Sequence, residues 1–425
     1  MGEAAISFSC SCDGPAGGML SVDEARQRLY ALLPPASATE SLPLVEAARR
    51  IIAKPLHASC PMPFFDNSAM DGFAVSLADF ENGPPRALPI SSEIAAGNQV
   101  APAIAPGACM RILTGAPVPE NADAVVPCER VVEEQGCAAF FETPRPGAHI
   151  RRAGCDIARD DVLVAPGTRM SGRYAGLLAA NGHFSVTVYR QPHIGVFSTG
   201  DELVAASRER RAFELHDANR PMLLMMLQEM GCAPVDLGIL PDDPFETRQF
   251  LHRHAGNFDL LISSGSVSVG GRDFLKGAFS SAGGVIDSWK VALKPGKPVM
   301  FGRIGKTAFL GLPGNPMAAW IGFQLFGRMA VELLSGAALR PVEPVRAIVE
   351  EAIGHRHGRR EYVPVRVVSH THRGQPLLER IGHGGSASLY PLCFADGVAI
   401  IEATTGDVEA GDELDFLPFV QGVLE

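Results

Sequence analysis

Between Pro192 and Leu334 short apolar runs alternate with longer stretches of helical spacing. His193 to Phe197 (HIGVF), Asp259 to Ile262 (DLLI) and Thr307 to Gly311 (TAFLG) have the length and composition of buried strands. Pro221 to Met230 is strongly apolar and ends at Gly231, a residue suited to closing a helix. Further helices are predicted from about Asp273 and from the LPGNP turn through Leu334. Strands alternating with helices in this way imply a parallel sheet covered on both faces. Ligands in such sheets collect beyond the carboxyl ends of the strands. The polar loops at 198–202, 263–273 and 311–316 fall at those ends and are predicted to converge on one site.

The flanking regions have other periods. Ala25, Leu29, Leu32 and Leu33 form a stripe that Ser21 caps and that Pro34 and Pro35 stop, and Leu44 to Ile52 has similar helical spacing. From Pro61 to about Tyr189, Pro and Gly punctuate short β-branched runs such as Ala124 to Pro127 and Val162 to Ala165. After Gly336, alternating segments at Val345 to Glu350, Tyr362 to Val368, Val398 to Glu402 and Leu414 to Phe416 predict a separate small β-domain. The expected organisation is a disordered tail over 1–18; an N-terminal and linker domain from 19–59 with 150–190; a β-rich domain over 60–149; a doubly wound domain over 191–336; and a C-terminal β-domain over 337–425.

With 46% hydrophobic and 20% charged residues, the 425-residue chain has the make-up of a globular protein of several domains. No window holds eighteen uncharged apolar residues, and the first twenty lack a basic start before an apolar core, so neither a membrane span nor a secretory signal is expected. Nine scattered cysteines read as reduced thiols of a cytoplasmic protein, and the Cys10–Cys12 pair, without a second pair, is a poor metal site. A net charge of −10 argues against a general nucleic-acid binder. The four methionines Met222, Met225, Met226 and Met230 read as core packing, and the pairs His355/His357 and His370/His372 as surface histidines. Lysine usage changes the picture: of six lysines, five (Lys276, Lys290, Lys294, Lys297 and Lys306) fall in one stretch, as a site for oxyanions would require.

Familiar nucleotide templates fail. GKT at 305–307 lacks the upstream glycine of a P-loop, no GxGxxG follows a strand, and SVSVG has Ser266 where a nucleophile elbow needs glycine. What stands out instead is a series of polar loops: FDNSAMDGFAV (65–75), RILTGAPVPENADAVVPCE (111–129), IRRAGCDI (150–157), FSTGDEL (197–203), DANR (217–220), SSGSVSVGGRD (263–273), VALKPGKP (291–298) and GLPGNP (311–316). Ser, Thr and Gly at helix N-termini offer N–H groups to phosphate oxygens. Clustered carboxylates can be held by Mg²⁺ that bridges to substrate phosphates. Lysines offset the negative charge of phosphoryl chemistry.

From about residue 20 to the C-terminus these loops, in order and approximate spacing, resemble those of the molybdopterin molybdenumtransferases, the bacterial MoeA family, whose relatives include the C-terminal domain of gephyrin. The resemblance implies a dimer of elongated four-domain subunits. Each would have a doubly wound domain similar to the adenylating partner enzyme of the pathway (MogA-like), β-rich N-terminal and linker domains, and a small C-terminal barrel-like β-domain. It implies a cleft between the doubly wound domain and the partner subunit's β-rich domain, where molybdate is inserted into adenylylated molybdopterin with release of AMP. Contacts with the molybdopterin adenylyltransferase and with apo-molybdoenzymes follow from that role.

Carried over by motif, Asp66, Asp156, Asp217, Asp273, Lys290 and Lys294 would be catalytic. Thr114, Arg151, Ser264, Gly265, Pro313, Pro316 and Ser386 would bind substrate, and Glu202, Asp217 and Asp273 would hold Mg²⁺. Alanine at Asp217 or Asp273 is expected to abolish insertion and leave the fold intact. Ser266 and Gly271 depart from the family's SGGVSVG(D/E)xD and put the metal geometry in question. The competing reading is a non-catalytic pterin-binding or scaffold protein of the same fold. A metal-dependent phosphohydrolase is a third, and it leaves FDNSAMDG unexplained.

Overall fold

The computed structural model describes residues 18–97, 102–265, 274–339, 342–382 and 386–419; Asp273, Ser266, Gly271, Cys10, Cys12 and nearly all of the expected tail lie outside them. The centre of the chain is a six-stranded sheet in the order Val235–Leu240, Ile194–Thr199, Leu260–Ser264, Thr307–Leu312, Pro298–Ile304, Gly284–Lys290. The first four strands are parallel. The last two are added antiparallel, through Pro298–Ile304. That pair departs from the all-parallel expectation, because the KPGKP segment reads as a loop and Gly284–Lys290 carries polar residues that hide a strand.

Helices cover this sheet, among them Asn219–Glu229, Pro244–His254 and the run Pro316–Leu334. The last has the length and apolarity of a membrane-crossing helix, yet 67% of it is buried and it forms core. Met226 is buried and Met222 and Met230 pack on the same core, whereas Met225 is exposed. Gly231 follows Asn219–Glu229 with φ +86°, the left-handed ending that glycine permits.

The first helix, Val22–Leu32, begins with a complete capping box between Ser21 and Glu24. It buries Val22, Ala25 and Leu29 in the core it shares with the central sheet, where it meets the strands Gly284–Lys290 and Pro298–Ile304 and the end of the run Pro316–Leu334. The helix expected over Leu44 to Ile52 does not form. Only the turn Leu44–Glu46 is helical, and Ile51 and Ile52 bridge to Arg169 and Val188 beside the pair Thr39–Pro43 and Ser185–Tyr189. Burial of both isoleucines, Ile52 in the linker core, prevails over their helical spacing.

A second six-stranded sheet holds the β-rich region, in the order Ala124–Pro127, Gly72–Val75, Cys109–Ile112, Arg86–Ile94, Cys137–Phe140, Val131–Glu134. Toward the C-terminus, Arg360–His370, Pro376–Arg380, Val345–Val349, Glu413–Pro418 and Gly397–Ile401 pair in turn. The first and last also pair with each other, closing a barrel. The short strand Leu293–Lys294 from the loop between the central sheet's edge strands adds to this barrel, parallel to Arg360 and Glu361.

Candidate functional site

In the central sheet the chain places Val235–Leu240 on one side of Ile194–Thr199 and Leu260–Ser264 on the other. The carboxyl ends of Ile194–Thr199 and Leu260–Ser264 therefore form a topological switch point, where an open α/β sheet leaves a crevice. A groove of about 950 Å³ opens there, lined by Thr199, Gly200, Ser264 and Gly265 from the two strand ends and by Pro313 to Pro316 from the next. Arg359, Ser386 and Ala387 of the barrel close its other side. Gly265, at φ +98°, is required: a Cβ there would lie 2.4 Å from the Thr199 carbonyl oxygen.

The groove wall is polar and incompletely satisfied. Asn219 is buried at the start of its helix and donates from Nδ2 to Ser264 Oγ and to the Gly314 carbonyl, each at 2.7 Å. Among the described residues its Oδ1 has no hydrogen-bond partner, nor has the buried Thr199 Oγ1. Buried polar atoms are normally paired, so two unpaired ones beside an open groove mark where a ligand's groups fit. Glu202, Asp242, Lys294 and Lys297 add charge of both signs. Ser386 accepts from Asn315 Nδ2 at 2.8 Å, tying the barrel to the LPGNP turn.

Of the residues expected to act together, Glu202, Asp217, Ser264, Gly265, Lys294, Pro313, Pro316 and Ser386 line this groove. Asp217 is not available as a simple metal ligand. Its carboxylate is 4% exposed and accepts from Arg220 Nε at 2.9 Å and Ser198 Oγ at 3.1 Å. Burial opposes the Arg220 charge, but Asp236 and Asp217 together outweigh it and hold the guanidinium pKa above its ordinary value. Asp217 thus supports the groove from behind.

Lys290 does not join Lys294. It ends the edge strand Gly284–Lys290 on the same carboxyl rim, but three strand positions from Leu260–Ser264, roughly 14 Å at ordinary strand spacing.

Asp66, Thr114, Arg151 and Asp156 do not line the groove either; their loops hang from the other sheets and gather in a second cluster. Asp66 accepts from the Ala153 N–H at 2.8 Å and pairs with Arg152, not Arg151. The Ala153 N–H, then Arg152, hold its pKa below the usual carboxylate value. Thr114 donates through both N–H and Oγ1, each at 2.7 Å, to Asp71, whose pKa these bonds lower. Ser68 links the two loops, its N–H bonding the Ala116 carbonyl at 3.0 Å and its carbonyl receiving the Gly115 N–H at 2.8 Å. Arg151 and Asp156 are exposed at the edge of this cluster. One chain therefore carries two polar clusters, one on the central sheet and one on the β-rich region.

The histidine reading needs correction as well. His355 is 5% exposed, with Nδ1 2.9 Å from the Thr405 carbonyl and Nε2 3.0 Å from that of Arg359. It braces the barrel loop that carries Arg359 to the groove. Thr199, Asn219, Lys297 and Asn315 lie in loops that the sequence flagged without giving them individual roles, whereas Asp242 and Arg359 were not anticipated. Position just beyond the strand Val235–Leu240 would have flagged Asp242, whereas Arg359 arrives from another domain.

Fold and groove together define a multidomain α/β protein whose switch-point site is closed by a barrel of the same chain. Residues 20–182 match the MoeA N-terminal region (domain I and II), 195–333 a probable molybdopterin binding domain and 346–419 the MoeA C-terminal region (domain IV). A molybdopterin molybdenumtransferase of Haemophilus influenzae is 34% identical over 94% of this chain and 99% of its own. Molybdopterin molybdenumtransferase 2 of Mycobacterium tuberculosis is 32% identical over 93% and 98%. A crystal structure of the molybdopterin biosynthesis moeA protein of Pyrococcus horikoshii superposes with a TM-score of 0.80 at 25% identity, covering 95% of this chain and all of that one. The chain belongs to the MoeA family of molybdenum cofactor biosynthesis.

Proposed function

We propose that this protein is a molybdopterin molybdenumtransferase that takes adenylylated molybdopterin and molybdate and yields molybdenum cofactor and AMP. The observation that carries this reading is the switch-point groove, in which unpaired Asn219 Oδ1 and Thr199 Oγ1 stand with Lys294, Lys297, Glu202 and Asp242. Lysines there neutralise phosphate and molybdate oxygens. The N-terminus of Asn219–Glu229 favours negative charge beside them.

For Mg²⁺ the donor set fits in kind, since Glu202, Asp242 and the unpaired Asn219 Oδ1 are hard oxygen donors. Among the described residues no three His, Cys, Asp or Glu side chains form a metal cluster. Glu202 and Asp242 would therefore hold the ion jointly with substrate phosphates and water, and Mg²⁺ would offset phosphate charge when bound. Asp273, expected as a further ligand, lies outside the described residues.

The two clusters fit a dimer in which the Asp66 and Thr114 cluster of one subunit completes the groove of the other. Contacts with the molybdopterin adenylyltransferase and with apo-molybdoenzymes, in the cytoplasm, belong to the same reading. The test is to incubate the protein with adenylylated molybdopterin, Mg²⁺ and molybdate and follow both AMP release and reconstitution of an apo-molybdoenzyme. Both signals are expected. AMP alone would make it a phosphohydrolase, and neither would make it a binding or scaffold protein.

A further inference from the structure

Lys294 is the groove lysine whose position the fold fixes most fully. Its backbone pairs with Glu361 in the parallel register Leu293–Arg360, Lys294–Glu361, and the Arg360 N–H bonds the Ala292 carbonyl at 3.0 Å. Its ammonium lies 2.8 Å from Glu361 Oε2. The Glu361 side chain is 6% exposed while that of Lys294 is 37% exposed, so the carboxylate stands behind the lysine, away from the groove. His355 Nε2 lies 3.9 Å from the same Oε2, and the ring, whose nitrogens lie 2.9 and 3.0 Å from the Thr405 and Arg359 carbonyl oxygens, fills that side of Glu361.

A lysine on four rotatable carbons has no fixed position of its own. A carboxylate that almost no water reaches can supply one, and it also lowers the net positive charge the wall offers to an anion. We propose that Glu361 is a positioning residue: it holds the Lys294 ammonium at one point of the groove and weakens ground-state binding of a diphosphate there. The inference deepens the proposed function, since it names the barrel residue that tunes the groove for an anionic substrate. Fixed charge of this kind is most effective on charge that develops during reaction, whereas a loose ammonium can follow the ground state. Removing the carboxylate then tightens binding and slows turnover together.

The experiment compares wild type, Glu361→Gln, Glu361→Asp, Lys294→Gln and the double variant Glu361→Gln/Lys294→Gln in the full chain. Three readouts are taken: calorimetric affinity for inorganic pyrophosphate, the rate at which an amine-reactive ester labels Lys294 relative to Lys297, and AMP release. Glu361→Gln is expected to bind pyrophosphate about tenfold tighter and to label faster at Lys294. Its kcat and KM should fall together, kcat by about tenfold. Glu361→Asp should recover most of each change. In the Lys294→Gln background the glutamine should leave pyrophosphate affinity unchanged, because the effect passes through the lysine. Unchanged affinity and labelling in a Glu361→Gln protein that melts cooperatively would overturn the proposal. So would an affinity change that persists without Lys294. Should Glu361→Gln not fold, the same comparison is made with Glu361→Met, a neutral side chain of similar length, and unchanged labelling and affinity in that variant count against the proposal. A wild type that releases no AMP rejects the proposed function, and the binding and labelling readouts still decide the role of Glu361.

Discussion

Asp217 shows how one residue type can mislead when read from a motif. In DANR it stands where a substrate or metal carboxylate is expected, but the fold spends it on Arg220 and Ser198. Without it, Arg220 would keep Asp236, so the loss is that of charge-assisted hydrogen bonds rather than of a lone buried charge, about 1–3 kcal/mol. Asp217→Ala is therefore expected to lower stability by about that much in denaturant unfolding, contrary to the sequence expectation of an intact fold; an unchanged midpoint would restore it to a purely chemical role. Asp66 and Asp71 carry the opposite kind of information. Their pKa values are depressed by the bonds they accept, so their contribution is complete above the ordinary carboxylate range and is lost as pH falls through the lower folded values. Protection factors for amide exchange at Ala153 and Thr114 should fall over that acid window and stay flat near neutrality. The lysine cluster was legible in the sequence because the rest of the chain uses arginine. Which lysine faces the groove was not, since strand order decides it.

At the scale of elements, three strands of the central sheet, Ile194–Thr199, Leu260–Ser264 and Thr307–Leu312, were readable to within two residues because their runs are short, apolar and flanked by turns, whereas Val235–Leu240 and Pro298–Ile304 were not. The capped first helix was readable from Ser21, Glu24 and its stripe. Its destination was not: a surface stripe does not say which domain it covers, and here it seals the central sheet. Ser21→Ala removes the hydroxyl half of the capping box, leaves the residue 21 N–H bonded to Glu24, and should cost about 1 kcal/mol in chemical denaturation. The missed strand Gly284–Lys290 and the failed helix at Leu44 to Ile52 share a cause. In both, long-range pairing rather than local spacing sets the conformation. Gly265→Ala, with its Cβ facing a carbonyl at 2.4 Å and φ at +98°, should splay the two strand ends. The expected outcome is loss of pyrophosphate affinity in calorimetry, with secondary structure retained by circular dichroism.

On the scale of the whole molecule, the family resemblance implied a site shared between the doubly wound domain of one subunit and the β-rich domain of another. The chain presents two clusters, one on the central sheet and barrel, the other on the β-rich region. If two subunits complete one another, mixing an Asp66→Asn variant with a Lys294→Gln variant restores activity, because each mixed dimer contains one site with neither lesion. No recovery after subunit exchange, shown by native mass spectrometry to have occurred, would place each site within a single chain.

The segment Val291 to Pro298 leaves one sheet, lends Leu293 and Lys294 to a barrel, and returns as the next strand of the first. A tether stitched into both bodies leaves little freedom for a hinge. Any swing of the barrel pulls on the same backbone that carries the groove's lysine, so the width of the opening and the placement of its charge change as one coordinate. Loop-length variants in this segment would alter both together and could not retune either by itself.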